Sequence, residues 1–281
     1  MTTDTMTPYD TPAAAETPHH ATDHAAADSA DTALWLYRTA PVADPVARLI
    51  CFPHAGGSAS FFRDWGHRIP GVEVYAVRYP GRAERLAEPV ATDLRELARA
   101  VADAVAPLAD RPLALFGHSM GAPIALETAA ALEARGIDPV HLFASGSRNA
   151  PYPSPEDWAD PDEADDPAVV ERLLTLGGTD PELAADPEFQ ELVLPYVRAD
   201  AHMFHAYAPG SGSGSAPSVR CPVTTLTGDA DADADCRPWS ELTTGGVREQ
   251  GVPGDHFYLV AAPPHALIRD TLAGAPVPSA G

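Results

Sequence analysis

The chain has 281 residues, 45% of them hydrophobic, and a formal net charge of −22. That is enough apolar material for one large α/β domain or two small ones. All 18 basic side chains other than histidine are arginine, and so acidic a chain excludes general nucleic-acid binding, which needs a basic surface. No apolar run reaches the roughly 20 residues that span a bilayer, and no basic-then-apolar leader opens the sequence. The expectations are a cytoplasmic location and no membrane partner.

Residues 1 to 32 are rich in Thr, Ala, Asp and Pro, with no periodicity. They read as a disordered tail; His19, His20 and His24 fit a weak metal-binding tract or, the preferred reading, side chains solvated in that tail. The folded domain is expected over 33 to 281. Ala47 to Phe52 reads as a buried strand stopped by Pro53, followed by a Gly56-Gly57-Ser58 loop and a helix over Ala59 to Ile69. Val72 to Val77 is the next strand, ended by Pro80-Gly81. Leu94, Leu97, Val101, Val105 and Leu108 give Asp93 to Leu108 helical spacing. Leu113 to Phe116 is a short strand, Ala122 to Arg135 a helix stopped by Gly136, and Val140 to Ala144 a strand.

This alternation predicts a mostly parallel sheet with helices on both faces. It breaks between about 150 and 210, where Leu173, Leu174 and Leu176 precede Gly177-Gly178. Phe189, Leu192, Val193, Tyr196 and Val197 then form an apolar stripe that Met203, Phe204 and Tyr207 continue. We read a helical insertion over the end of the sheet. Its last three residues suit either a ligand chamber or core packing. A Gly/Ser/Pro linker over Gly210 to Ser218 leads to a strand at Pro222 to Thr227, a short strand at Val247 to Glu249 and a closing helix at Phe257 to Leu267. Cys51, Cys221 and Cys236 are too few and too dispersed for a disulfide framework or a metal site.

The strongest chemical signal is Gly117-His118-Ser119-Met120-Gly121, between a short apolar strand and a helix. A sharp strand-to-helix turn needs small flanking residues and exposes the Ser119 hydroxyl above the sheet. The Met120 N–H at the helix start can then face a developing oxyanion. A serine hydroxyl needs a base, and the base needs an orienting acid; in this arrangement they follow in the order Ser, acid, His. Asp229 and Asp231 stand just after the Pro222–Thr227 strand, with Asp233 and Asp235 extending the run. Asp231 is preferred and Asp229 is the alternative. His256 is the preferred base, in a turn before an apolar segment. His265 is expected to pack or face water, and His118 to point away from the site. The loop Pro53-His54-Ala55-Gly56-Gly57 offers the second oxyanion donor, the Ala55 N–H.

Four ordered motifs now combine: Phe52-Pro53-His54-Ala55-Gly56-Gly57-Ser58, Tyr79-Pro80-Gly81-Arg82, the Ser119 pentapeptide and Leu194-Pro195-Tyr196-Val197-Arg198-Ala199-Asp200. Over about residues 35 to 270 the chain resembles the type II thioesterases of polyketide and nonribosomal peptide synthesis. The resemblance implies an α/β-hydrolase fold with a mobile helical lid over 150–210. It implies hydrolysis of acyl groups from the phosphopantetheine arm of an acyl- or peptidyl-carrier protein, with no metal or organic cofactor of its own. It supports Ser119, Asp231 and His256 as the triad, and Ala55 and Met120 as oxyanion donors. Two departures stand out: Asp255 where the family usually has a second Gly before the histidine, and Ala232 where Pro often follows the acid.

Arg78, Arg82 and Arg85 fit either an acidic carrier protein or, the preferred reading, an ordinary solvated surface. A small-molecule esterase, an acyltransferase and a noncatalytic carrier-binding protein stay open as alternatives. A monomer is the working expectation for assembly.

Overall fold

Short apolar segments build the sheet: β1 (Leu36–Arg38), β2 (Ala47–Phe52), β3 (Val72–Val77), β4 (Leu113–His118), β5 (His141–Ser145), β6 (Val223–Gly228) and β7 (Val247–Val252). The computed structural model describes residues 30–147, 166–176, 180–207, 217–231 and 239–275. The expected tail up to residue 29, the insertion's first part (150–165), Gly177-Gly178, linker residues 210–216, Asp233, Asp235 and Cys236 lie outside these residues.

The strand order is β1-β3-β2-β4-β5-β6-β7. β1 pairs antiparallel with β3 and all other pairs are parallel. Every residue of β2 to β5 is buried, as befits parallel strands covered on both faces. Alternation along β2 divides the core. Ile50 and Phe52 join Val101, Leu126 and Phe204 on one face, while Leu49 and Cys51 join Phe62, Trp65 and Ile268 on the other.

The helices are α1 (Ala30–Trp35), α2 (Trp65–Arg68), α3 (Leu94–Val105), α4 (Gly121–Glu133), α5 (Asp166–Leu176), α6 (Pro181–Ala184), α7 (Pro187–Ala206), α8 (Tyr258–Ala261) and α9 (His265–Leu272). Asp93 caps α3 by accepting the Glu96 N–H at 2.7 Å, which satisfies one orphan donor of the first turn. α4 is buried on nearly all sides beneath the sheet's centre. Among the described residues no helix is long and apolar enough to cross a membrane.

Several expected boundaries shift. α1 takes in residues 30–32, which the sequence assigns to the tail, and Thr32 is buried with its hydroxyl on the Ala104 carbonyl. The helix expected over Ala59 to Ile69 is two pieces, a 3-10 turn at Ala59–Phe62 and α2. The closing helix is also divided, because Pro263-Pro264 supply no N–H groups to continue α8. Of the insertion, α5, α6 and α7 are described. From Val193 onward α7 packs as core: Val193, Leu194, Val197, Asp200, Met203 and Phe204 are all buried, as is Tyr207 just beyond it.

Candidate active site

β4 ends at the centre of the sheet, and the chain turns there directly into α4. Ser119 sits in that turn with φ 54°, in the left-handed region that L-residues rarely occupy. Its N–H donates to the Ser145 carbonyl at 2.8 Å, and its own carbonyl accepts from Ala122 at 3.0 Å. The two glycines of the motif answer to space. A Cβ on Gly117 would lie 2.2 Å from the Gly121 oxygen, and one on Gly121 would lie 2.1 Å from the Phe52 oxygen. The turn therefore closes only with glycine at both positions.

The candidate acid and base come from the ends of β6 and β7. His256 Nδ1 lies 2.9 Å from Asp231 Oδ2, and their side chains are 5% and 1% exposed. Asp229 is exposed and does other work: its Oδ1 accepts the Gly254 N–H at 2.9 Å, tying the acid loop to the histidine loop. A Cβ on Gly228 would come within 2.4 Å of the Asp255 oxygen, so glycine there lets the two loops meet. Asp255 accepts from the Phe257 N–H through its side chain at 2.9 Å and from the Tyr258 N–H through its carbonyl at 3.2 Å. This turn accounts for an aspartate where the family has glycine.

His118 does not point away from this region. It is fully buried, its ring centroid 5.0 Å from that of His256. Its Nδ1 bonds Ser145 Oγ at 2.9 Å, and Ser145 Oγ bonds the Tyr258 hydroxyl at 2.7 Å. Burial, then the neighbouring His256 and His54, hold the His118 imidazole well below its ordinary pKa. Gly146, with φ 51°, leaves the room: a Cβ there would lie 2.7 Å from His118 Cε1 and 3.3 Å from His256 Cε1. Sequence reasoning passes over Ser145, Gly146 and Tyr258, although their place after β5 and beside His256 is a usable signal. His265 packs edge-on against Trp65 at 4.9 Å.

The loop after β2 lies beside the turn, because Phe52 pairs with Gly117 in the sheet. Tyr79 donates its hydroxyl to the Pro53 carbonyl at 3.1 Å. The Gly57 N–H donates to His54 O at 2.9 Å and the Gly56 N–H to Asp200 Oδ2 at 2.8 Å. Among the described residues the N–H groups of Ala55 and Met120 have no hydrogen-bond partner. The His54 ring stands edge-on to Phe61 and Phe257, each at 4.8 Å, and burial lowers its pKa to about 3, with His256 and Arg82 adding to the effect.

Two of the arginines expected on the surface turn inward. Arg82 is 3% exposed and Arg85 5% exposed. Arg82 pairs with Asp200, while Arg85 pairs with Glu88, donates to the Arg78 carbonyl and lies over the Trp35 ring at 4.0 Å. The described residues hold no cluster of three His, Cys, Asp or Glu side chains that suits a metal ion. Burial raises the thiol pKa of Cys51 and of Cys221, the latter to about 12.

A serine on a strained strand-to-helix turn, with a buried His–Asp pair delivered from the ends of two later parallel strands, defines an α/β-hydrolase. The family model for the thioesterase domain matches residues 47–273, and the chain belongs to that family. The Streptomyces venezuelae thioesterase PikA5 is 39% identical over 82% of this chain and 81% of its own length. A probable cadicidin biosynthesis thioesterase of Streptomyces griseus is 37% identical over 86% of this chain, which spans 66% of that relative. The solved type II thioesterase BorB, from the borrelidin biosynthetic cluster, superposes with a TM-score of 0.73 at 35% identity, covering 85% of this chain and 98% of BorB.

Proposed function

We propose that this thioesterase is a type II editing enzyme that removes aberrant or stalled acyl groups from the phosphopantetheine arm of an acyl- or peptidyl-carrier protein. Ser119 is the nucleophile, His256 the general base and Asp231 the acid that orients it. The observation that carries the reading is the 2.9 Å bond from His256 Nδ1 to buried Asp231. That bond fixes the tautomer, leaving Nε2 to accept a proton.

In the first step Ser119 Oγ attacks the thioester carbonyl as its proton passes to His256. The N–H groups of Ala55 and Met120 stabilise the tetrahedral oxyanion. The C–S bond breaks, His256 returns the proton to the departing thiolate, and an acyl-serine ester forms. Water then attacks that ester with His256 again as base, releasing the free acid and Ser119. The phosphopantetheine belongs to the carrier, so the enzyme needs no cofactor for these steps.

Intact-mass analysis of acyl-loaded carrier proteins, with the enzyme and with Ser119→Ala, tests this. The acyl mass is expected to vanish only with the unmodified enzyme. Carriers that stay loaded while simple esters are cleaved would replace this reading with that of a small-molecule esterase.

A further inference from the structure

The triad accounts for neither Arg82 nor Asp200, yet these are among the most enclosed charged side chains of the described residues, 3% and 2% exposed. They form a two-pronged ion pair: Arg82 Nη1 to Asp200 Oδ2 at 2.5 Å and Nη2 to Oδ1 at 2.5 Å. The guanidinium lies 5.3 Å from the Tyr79 ring centroid and 4.9 Å from that of Tyr196. Removing two charges from water is costly, and the mutual attraction of a buried pair often only offsets that cost. Stability alone is therefore a weak account of the pair.

Both partners reach the loop that carries Ala55. Asp200 Oδ2 accepts the Gly56 N–H at 2.8 Å, and Arg82 Nη1 donates to the Gly57 carbonyl at 3.2 Å. With Gly57 N–H closed onto His54 O, the donors at 56 and 57 are both occupied. The peptide just before them presents the Ala55 N–H, with no partner of its own among the described residues. α7 also reaches the loop through Val197: a Cβ on Gly56, whose φ is 75°, would lie 2.8 Å from Val197 Cγ2. Three separate stretches, the loop after β2, the turn at Arg82 and helix α7, thus converge on two peptide groups.

We infer that the Arg82–Asp200 pair is a positioning pair for the oxyanion loop: it holds the Gly56 and Gly57 peptides so that the Ala55 N–H points at the reacting carbonyl. This rests on the reading of Ala55 as an oxyanion donor. Neither residue touches substrate. The pair acts by consuming the competing N–H and fixing the turn, so its loss is felt in the transition state and not in substrate binding. Preorganisation of this kind is sensitive to displacements on the order of 1 Å, which cost about a hundredfold in rate.

The test uses the full chain, acyl-loaded carrier protein and a trifluoromethyl ketone bearing the same acyl chain. Ser119 adds reversibly to that ketone and gives an adduct carrying the oxyanion. Asp200→Ala is expected to lower kcat roughly tenfold to a hundredfold with KM within about threefold, and to weaken ketone binding in step with kcat. Asp200→Ala strands a buried guanidinium and threatens folding, so Arg82→Met with Asp200→Leu is the companion variant. It removes both charges at similar volume, which restores stability, yet leaves the loop unheld. The same loss of kcat and ketone affinity is expected in that folded double variant. Wild-type kcat and ketone affinity in it, with Ser119→Ala inactive, would overturn the positioning role alone. Turnover retained by Ser119→Ala would overturn the site reading and this inference together.

Discussion

Asp231 Oδ2 and His256 Nδ1 meet at 2.9 Å across two consecutive strand ends, whereas Asp229, two residues earlier, faces solvent and holds the Gly254 N–H. The two carboxylates of one short loop therefore divide the contact to His256 from closure of the loop. Asp231→Asn leaves the shape intact but offers an N–H where an acceptor is needed, favouring the wrong tautomer. A fall in kcat of about 10³-fold to 10⁴-fold is expected. Asp229→Asn keeps an oxygen for Gly254 and should stay within a fewfold of wild type. Steady-state kinetics of the two variants decide between the acids. A deeper loss at 229 would reverse the assignment.

The strain at Ser119 gives a second prediction. A left-handed φ costs an L-residue about 1–2 kcal/mol, a cost glycine escapes. Ser119 sits at φ 54°, so Ser119→Gly should be more stable than Ser119→Ala by about 1 kcal/mol. Both are expected to be inactive. Urea titration of the pair reads the difference. Equal midpoints would mean that the surrounding turn carries no such strain.

The proposed catalytic positions are legible in the sequence for a physical reason. Ser119, Asp231 and His256 each follow a strand end, and the fold dictates their order along the chain. β2, β3, β4 and α4 could be read because fully buried parallel strands are short apolar runs bounded by Pro and Gly. β1 has only three residues, too few for alternation to register. The Arg82–Asp200 pair spans 118 residues and leaves no local pattern, so Arg82 looked like one of a run of surface charges. His118 was misread for a related cause. A motif fixes which residue stands beside the nucleophile, whereas the bond to Ser145 depends on β4 and β5 pairing in register.

Three histidines with pKa values lowered by burial are expected to weaken the fold in acid. Burial lowers the pKa of His54 to about 3 and of His141 to about 4, and holds His118 well below its usual value. Below pH ~6.5 the unfolded chain binds protons at these sites and the native state does not, so stability falls as pH falls. The loss begins near pH 6.5 and continues toward pH 4, at about 1.4 kcal/mol per pH unit for each histidine. His141 bonds Thr224 Oγ1 at 2.8 Å, away from Ser119. His141→Gln is expected to flatten the slope by about one proton between pH 6 and 5. Urea unfolding at pH 7.5, 6 and 5 measures this. Slopes unchanged by the substitution would show that His141 titrates normally in the native state.

α7 changes character just ahead of Pro195: Leu192 is 52% exposed, whereas Val193, Leu194, Val197, Asp200, Met203 and Phe204 are buried. α5 and α6 contribute little to the core: the described side chains of α5 are exposed or half-buried, and α6 buries only Ala184. Leu174 and Leu183 lie 36% and 48% exposed. Segments with few buried apolar contacts open at low free-energy cost. A lid over 150–210 that moves as one body would exchange its amides uniformly. The packing instead predicts a hinge near Pro195, with α5 and α6 exchanging roughly 100-fold faster than residues 197–206 of α7. Hydrogen–deuterium exchange resolved to these peptides tests it. Equal protection of α5 and the end of α7 would remove the hinge and leave the insertion a fixed part of the core. Faster exchange of α5 and α6 alone would confine the proposed lid motion to helices that do not hold the Ala55 loop, keeping it mechanically separate from the Arg82–Asp200 contact.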